Sequence, residues 1–185
     1  MRKVVVYELL SLDGVAQDPD EFFGWDDVMD ANLGAVIATQ DDVVLGRRSF
    51  EEWADYWPTS DIEPFASFIN AVPKHVVTSS PLDREWANST VVDGGLIDHV
   101  MDLKQRPGGD VGVHASISVA QALIAAGVVD ELRLVIAPAV VGKGRKLLDG
   151  VPTGTLELIE STTSPTGSLL LGYRVTPGRP PAGAG

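Results

Sequence analysis

Short apolar runs alternate along the chain with stretches of helical spacing, and Gly, Pro, Ser and Asp clusters separate them. Residues 4–10 read as a buried strand, followed by the turn Ser11-Leu12-Asp13-Gly14. Residues 17–24 read as loop and residues 25–38 as largely helical. A second strand is expected over residues 42–45, a helix over 49–56, and a short helix over 62–70. Strands follow at 75–78 and 90–92, then a helix at 96–104 that ends in Pro107-Gly108-Gly109. The next unit is the clearest. After a strand at 111–113, residues 116–126 place Ile117, Ala120, Leu123 and Ile124 on one apolar helix face, and Gly127 sits where a glycine ends a helix. A strand over 132–137 and two strands at 156–163 and 168–176, joined through Ser-Pro-Thr-Gly, predict a closing antiparallel hairpin.

Strands alternating with helices predict an α/β fold, a largely parallel sheet covered on both faces with ligands bound beyond the carboxyl ends of its strands. The chain has 185 residues, enough for one domain that buries roughly 70% of its unfolded surface. That domain is expected over residues 1–177, with the Pro/Gly/Ala stretch 178–185 as a disordered tail. No apolar run approaches the roughly 20 residues of a membrane span, and the start lacks the pattern of a signal peptide. There is no cysteine, so neither a disulfide framework nor thiolate chemistry is available, and a cytoplasmic location is expected. The net charge of −12 opposes nucleic acid, which is bound through Lys and Arg. It opposes a polyanionic ligand as well, so any phosphate must be held by local donors.

One stretch offers such donors. Val43-Val44-Leu45-Gly46-Arg47-Arg48-Ser49 runs from apolar strand through glycine and two arginines into a helix, and Ser49 and Glu52 have capping-box spacing. Gly46 would allow a tight turn and a close ligand, and the helix start adds unpaired N–H groups. Strand, glycine and capped helix is also ordinary α/β punctuation. Thr78-Ser79-Ser80 ends another strand with hydroxyls, which either donate to phosphate or cap a turn. His114-Ala115-Ser116-Ile117-Ser118 again runs from strand into helix start, with Ser116 as a simple N-cap on the plainer reading. Three such edges in one sheet would suit a dinucleotide, and the arginines would suit a 2′-phosphate.

Gly46-Arg47-Arg48-Ser49-Phe50-Glu51, Thr78-Ser79-Ser80, Ser11-Leu12-Asp13-Gly14, the run Ala122 to Leu132 and Pro138-Ala139-Val140-Val141-Gly142-Lys143-Gly144 together resemble the dihydrofolate reductase-like superfamily. The branch they resemble is the reductase domain of the riboflavin-biosynthesis deaminase–reductase and its stand-alone bacterial relatives. The resemblance implies a three-layer fold with a mixed, mostly parallel eight-stranded sheet, helices on both faces, and NADPH bound across the strand ends. Carried over by position, Gly46, Arg47 and Ser49 would hold the adenosine side, with Arg47 on the 2′-phosphate. Thr78, Ser79 and Ser80 would line the adenosine and its phosphate. His114, Ala115, Ser116, Ile117 and Ser118 would meet the pyrophosphate and ribose, and Ala16 and Gln17 would lie near the nicotinamide.

Two features set this chain apart. Ala115 stands where the family usually has glycine, which is costly if the position needs a positive φ. Asp30 follows Trp25 by five residues and precedes Gly46 by sixteen, the placing of the acid of true dihydrofolate reductases. It is a candidate catalytic acid that would anchor and protonate a heterocycle. Asp26, Asp27 and Asp30 read equally as a solvated helix face. His75, His99 and His114 show no metal-ligand spacing, so no metal is expected. The expected function is an NADPH-dependent reductase of a small heterocyclic or carbonyl substrate, working as a homodimer. A non-catalytic nucleotide-binding or dimer module and a true dihydrofolate reductase are the alternatives.

Overall fold

A computed structural model of the chain describes residues 1–176; the tail expected at 178–185 lies outside them. The strands are β1 (Val4–Ser11), β2 (Gln40–Gly46), β3 (Lys74–Val77), β4 (Ser89–Val91), β5 (Asp110–His114), β6 (Glu131–Ala137), β7 (Leu156–Thr163) and β8 (Leu169–Val175). The helices are α1 (Asp27–Ile37), α2 (Arg47–Tyr56), α3 (Phe65–Ala71), α4 (Leu96–Gln105) and α5 (Ile117–Ala125). All strands form one eight-stranded sheet in the order β4-β3-β2-β5-β1-β6-β8-β7. The pairs from β4 to β6 are parallel, and β8 joins β6 and β7 in an antiparallel hairpin.

Side-chain alternation builds the layers. Val4, Val6, Leu10, Val44, Val113 and Leu132 leave one face of the sheet and pack on Val100 and Leu103 of α4 and on Ile117, Ala120 and Leu123 of α5. Val5, Tyr7, Val43, Leu45 and Val76 leave the other face toward Met29 and Leu33 of α1, Phe50 of α2, and Phe65 and Ile69 of α3. This is the three-layer architecture expected, and the hairpin closes it as expected.

The ends of elements differ from the reading in instructive ways. The expected capping box at Ser49 and Glu52 does not form. Helix α2 begins at Arg47 with Gly46 as its N-cap, Ser49 Oγ donates to the Ala115 carbonyl at 2.9 Å, and Glu52 accepts from Arg48 Nε at 2.9 Å. Nor does Gly46 turn tightly: its φ of −78° and ψ of 157° are extended backbone that any residue adopts. Strand β2 starts earlier than expected because Gln40 joins the ladder across a bulge between Gln40 and Asp42.

Two of the motifs hold each other. Asp13 accepts from Ser11 Oγ at 2.8 Å and from the backbone N–H groups of Val141 at 3.0 Å and Gly142 at 2.9 Å. The Val141 N–H, the Ser11 hydroxyl and the Gly142 N–H hold the Asp13 carboxyl down to about 2. The turn after β1 thereby fixes the loop after β6, and Val15 bridges to Lys146.

Candidate functional site

Because β3, β2, β5 and β1 are neighbours and parallel, their carboxyl ends lie side by side on one edge of the sheet. With strands about 4.8 Å apart, three ligand-facing turns and the turn after β1 form a continuous row. At the β2 and β3 ends, Arg47, Val77, Thr78, Ser79 and Ser80 line a cleft of about 540 Å³. Arg47 Nη1 donates to Ser80 Oγ at 2.6 Å, Nε to Glu51 at 2.8 Å and Nη2 to Asp83 at 2.9 Å. The guanidinium is thus aimed along the β3 turn, and Glu51, then the Asp83 charge, raise its pKa further. Thr78 follows the turn-capping alternative, since its hydroxyl donates to the Ser80 carbonyl at 2.7 Å and accepts the Ser80 N–H at 3.1 Å. Ser79 is exposed and makes no hydrogen bond among the described residues.

The β5 end is tied to the β2 end. Ser116 Oγ accepts the Gly46 N–H at 3.0 Å, so it does not cap its own helix as the plainer reading had it. The starts of α2 and α5 therefore both lack a side-chain cap, and their first N–H groups face the strand-end row. Ala115, exposed between them, has φ of +49°. An alanine held there costs about 1 kcal/mol that a glycine would not. Ser118 is exposed on α5, whereas Ile117 is packed in the core and offers only its backbone.

His114 corrects the reading most. Its ring is buried, Nε2 shares a hydrogen bond with Gln40 Oε1 at 2.8 Å, and Tyr7, Phe65 and Phe68 surround it. Gly112 makes this possible, since a β-carbon there would overlap the Gln40 amide and crowd the ring. Burial drives the imidazole down to about 3, so it is neutral at physiological pH and its side chain faces neither solvent nor a phosphate.

Ala16 is buried against Leu10 and Ile117, and Gln17 Oε1 accepts the Arg145 N–H at 3.2 Å. Arg145 is a residue that sequence reasoning missed. The Ala16 N–H donates to the Arg145 carbonyl at 2.9 Å, and the Arg145 Nη2 reaches Ser118 Oγ at 2.7 Å, which brings a cation to the start of α5. The signal was present as Gly142-Lys143-Gly144-Arg145-Lys146, taken only as a turn. Asp30 sits on α1 and accepts from Trp25 Nε1 at 2.5 Å, while Asp26 is the N-cap of α1. The Tyr7 hydroxyl is buried without a partner, and burial, then the Asp30 charge, push its pKa up. No cluster of three or more acidic, His or Cys side chains among the described residues could hold a metal. Among the described residues no helix is long and apolar enough to cross a membrane.

An α/β domain with uncapped helix starts and an arginine-lined cleft along one sheet edge belongs to the class of reductase-type nucleotide folds. The chain belongs to the RibD C-terminal domain family, whose model matches residues 2–170. It is 25% identical over 181 residues to YyaP of Bacillus subtilis, covering 93% of this chain and 94% of that protein. Among solved structures, a Shewanella sp. PV-4 protein ascribed to riboflavin biosynthesis superposes with a TM-score of 0.76 at 17% identity, covering 94% of this chain and 99% of the other. Dihydrofolate reductase from Enterococcus faecalis, complexed with NADP(H), superposes with a TM-score of 0.62 at 15% identity, covering 94% and 96%. The fold is dihydrofolate reductase-like.

Proposed function

We propose that this chain is a single reductase domain that uses NADPH to reduce a small heterocyclic or carbonyl substrate, in the manner of riboflavin-pathway reductase domains. The observation that carries this reading is the alignment of two uncapped helix starts and the Arg47 cleft on adjacent parallel strand ends. The residues fit the cofactor. Arg47, Ser79 and Ser80 would hold the 2′-phosphate and adenosine end, with Gly46, Ser49 and Thr78 shaping the wall. The exposed Arg47–Asp83 pair is worth at most about 1 kcal/mol, so an incoming phosphate can take the place of Asp83. Backbone N–H groups of Ala115 to Ser118, with Arg145 beside them, would meet the pyrophosphate, and Ala16 and Gln17 would border the nicotinamide. Bound there, the cofactor supplies hydride; the chain orients it, shields it from water and manages the proton. Asp30 and the Tyr7 phenol are the polar groups on the opposite face of β1, where a substrate ring would be held.

We also read the protein as a homodimer. Directly paired residues of an antiparallel ladder share a face, so Leu156, Leu158 and Leu169 stand exposed together on the β8–β7 hairpin.

Titration with NADPH and NADH, followed by tryptophan fluorescence, tests the function. NADPH is expected to bind at least about tenfold more tightly than NADH, a difference of about 1.4 kcal/mol, and Arg47→Ala should erase that preference. Failure of both cofactors to bind below millimolar concentration overturns the reading. Binding of NADPH without turnover on pterin, flavin-precursor and quinone substrates would favour a non-catalytic nucleotide-binding module, for which the strained Ala115 is the one supporting observation.

A further inference from the structure

We propose that Glu8, uncharged, is the side chain that grips the carboxamide of the nicotinamide ring, donating one O–H and accepting one N–H. The proposal rests on the reductase reading and deepens it. Tyr7 is the last residue of β1 paired with β5, opposite His114, so Glu8 is the first residue of β1 beyond that ladder, beside the turn at Ala115. On its other side it pairs with Leu134 of β6. Strand alternation sends its side chain to the α5 face between Val6 and Leu10, both packed with Ile117, Ala120 and Ala16. Ala16 is the residue that the family resemblance places at the nicotinamide.

Glu8 is only 4% exposed, and neither carboxyl oxygen makes a hydrogen bond within the described residues; Oε1 is wholly sealed. Burial alone pushes its pKa to about 8, with no contribution from a neighbouring cation, so at neutral pH the group is mostly the neutral acid. A valine or leucine would fill this strand position without leaving a polar group unpaired. A buried acid with both oxygens unpaired is therefore a feature that calls for a ligand. The chemistry of that ligand follows from the group. A neutral carboxyl presents one donor and one acceptor side by side, and a primary carboxamide presents the same two in the complementary order. An anion would meet a second acceptor instead.

The test compares the wild type, Glu8→Gln and Glu8→Leu by titration with three probes. They are NADPH, its 3-acetylpyridine analogue (which lacks the amide NH2), and 2′-phospho-ADP-ribose, which lacks the ring. The wild type is expected to favour NADPH over the acetyl analogue by about tenfold, the loss of one well-made buried hydrogen bond. Glu8→Leu should bind NADPH about tenfold more weakly and lose that preference. Glu8→Gln, which keeps a donor and an acceptor, should fall between. Binding of 2′-phospho-ADP-ribose should be equal in all three, which also shows that each variant is folded. Equal NADPH affinity in all three proteins, with 2′-phospho-ADP-ribose bound, overturns the role of Glu8 and leaves the reductase reading standing. Failure of the wild type to bind any of the probes overturns both.

Discussion

Glu8 and His114 lie one step apart across the β1–β5 ladder and on opposite faces of the sheet, and they solve burial in opposite ways. On the α3 side, His114 is neutral, hydrogen-bonded to Gln40 and enclosed by Tyr7, Phe65 and Phe68. On the α5 side, Glu8 is equally buried, yet nothing in the described chain meets its oxygens. A polar residue at a strand end is therefore not a site merely by being polar. What separates the two is whether the fold itself satisfies the group. By that measure His114 is core, and Glu8 is held in reserve for something outside the chain.

The largest expected effect sharpens this contrast through pH. The His114 pKa is depressed to about 3 in the folded chain, so only the unfolded chain takes up its proton between the ordinary imidazole value and 3. Stability is lost there as pH falls. The Glu8 pKa is raised to about 8, so the folded chain keeps a proton that the unfolded chain releases above the ordinary carboxyl value. Stability is lost there as pH rises. Each limb has a slope of about 1.4 kcal/mol per pH unit for one proton. Between roughly pH 4.5 and 6.5 the two cancel, using the ordinary values for Glu and His. From about 6.5 to 8 Glu8 acts alone and stability should fall. Lys74, whose pKa burial lowers to about 8, enters only above that window. Glu8→Gln should remove the alkaline limb and leave the acid limb in place. Denaturant melts at half-unit pH steps decide it; an unchanged slope above pH 6.5 would mean that the Glu8 carboxyl is already ionised when buried.

How much of this was legible in the sequence follows the same line. The order of elements and the three-layer packing were readable because they rest on local periodicity, as in α5, where Ile117, Ala120 and Leu123 recur on one face. Arg47 was readable because strand end, charge and helix start are consecutive. Arg145 was not, since it reaches Ser118 from 27 positions away through a loop pinned by Asp13. The capping box failed for a related reason: a distant carbonyl, that of Ala115, competed for Ser49 and won. The notice given to His114 and not to Glu8 came from weighing residue type, when the deciding quantity was the partner each would find.

Arg145 yields the next effect in size. Arg145→Ala removes the cation at the start of α5, and the pyrophosphate is common to both cofactors. NADPH and NADH should therefore weaken together, by about threefold to tenfold and more at low salt, since an exposed charge contributes up to roughly 1 kcal/mol. Arg47→Ala should weaken NADPH alone. Parallel titrations at two salt concentrations make the comparison, and selective loss of NADPH in Arg145→Ala would move the 2′-phosphate from the β2 end to the β5 end.

The smallest effects concern the two residues that stand at these helix starts with their expected types exchanged. Ala115 holds φ of +49°, where glycine is at ease, and Gly46 holds φ of −78°, where alanine is. Ala115→Gly relieves about 1–2 kcal/mol of left-handed strain but restores about 0.5–1 kcal/mol of unfolded-chain entropy. A net gain of roughly 0.5–1 kcal/mol should appear as a melting point a few degrees higher. Gly46→Ala reverses the entropy term at a compatible backbone, and its new methyl group would lie 3.4 Å from Val119 Cγ2, at the edge of ordinary contact. Stability should therefore change by no more than a few tenths of a kcal/mol, with the entropy gain offset by that crowding. If Gly46→Ala folds as well as the wild type yet binds NADPH more weakly, the glycine serves the ligand rather than the backbone. If it unfolds more easily, the extended conformation at Gly46 is the wrong account of why glycine stands there.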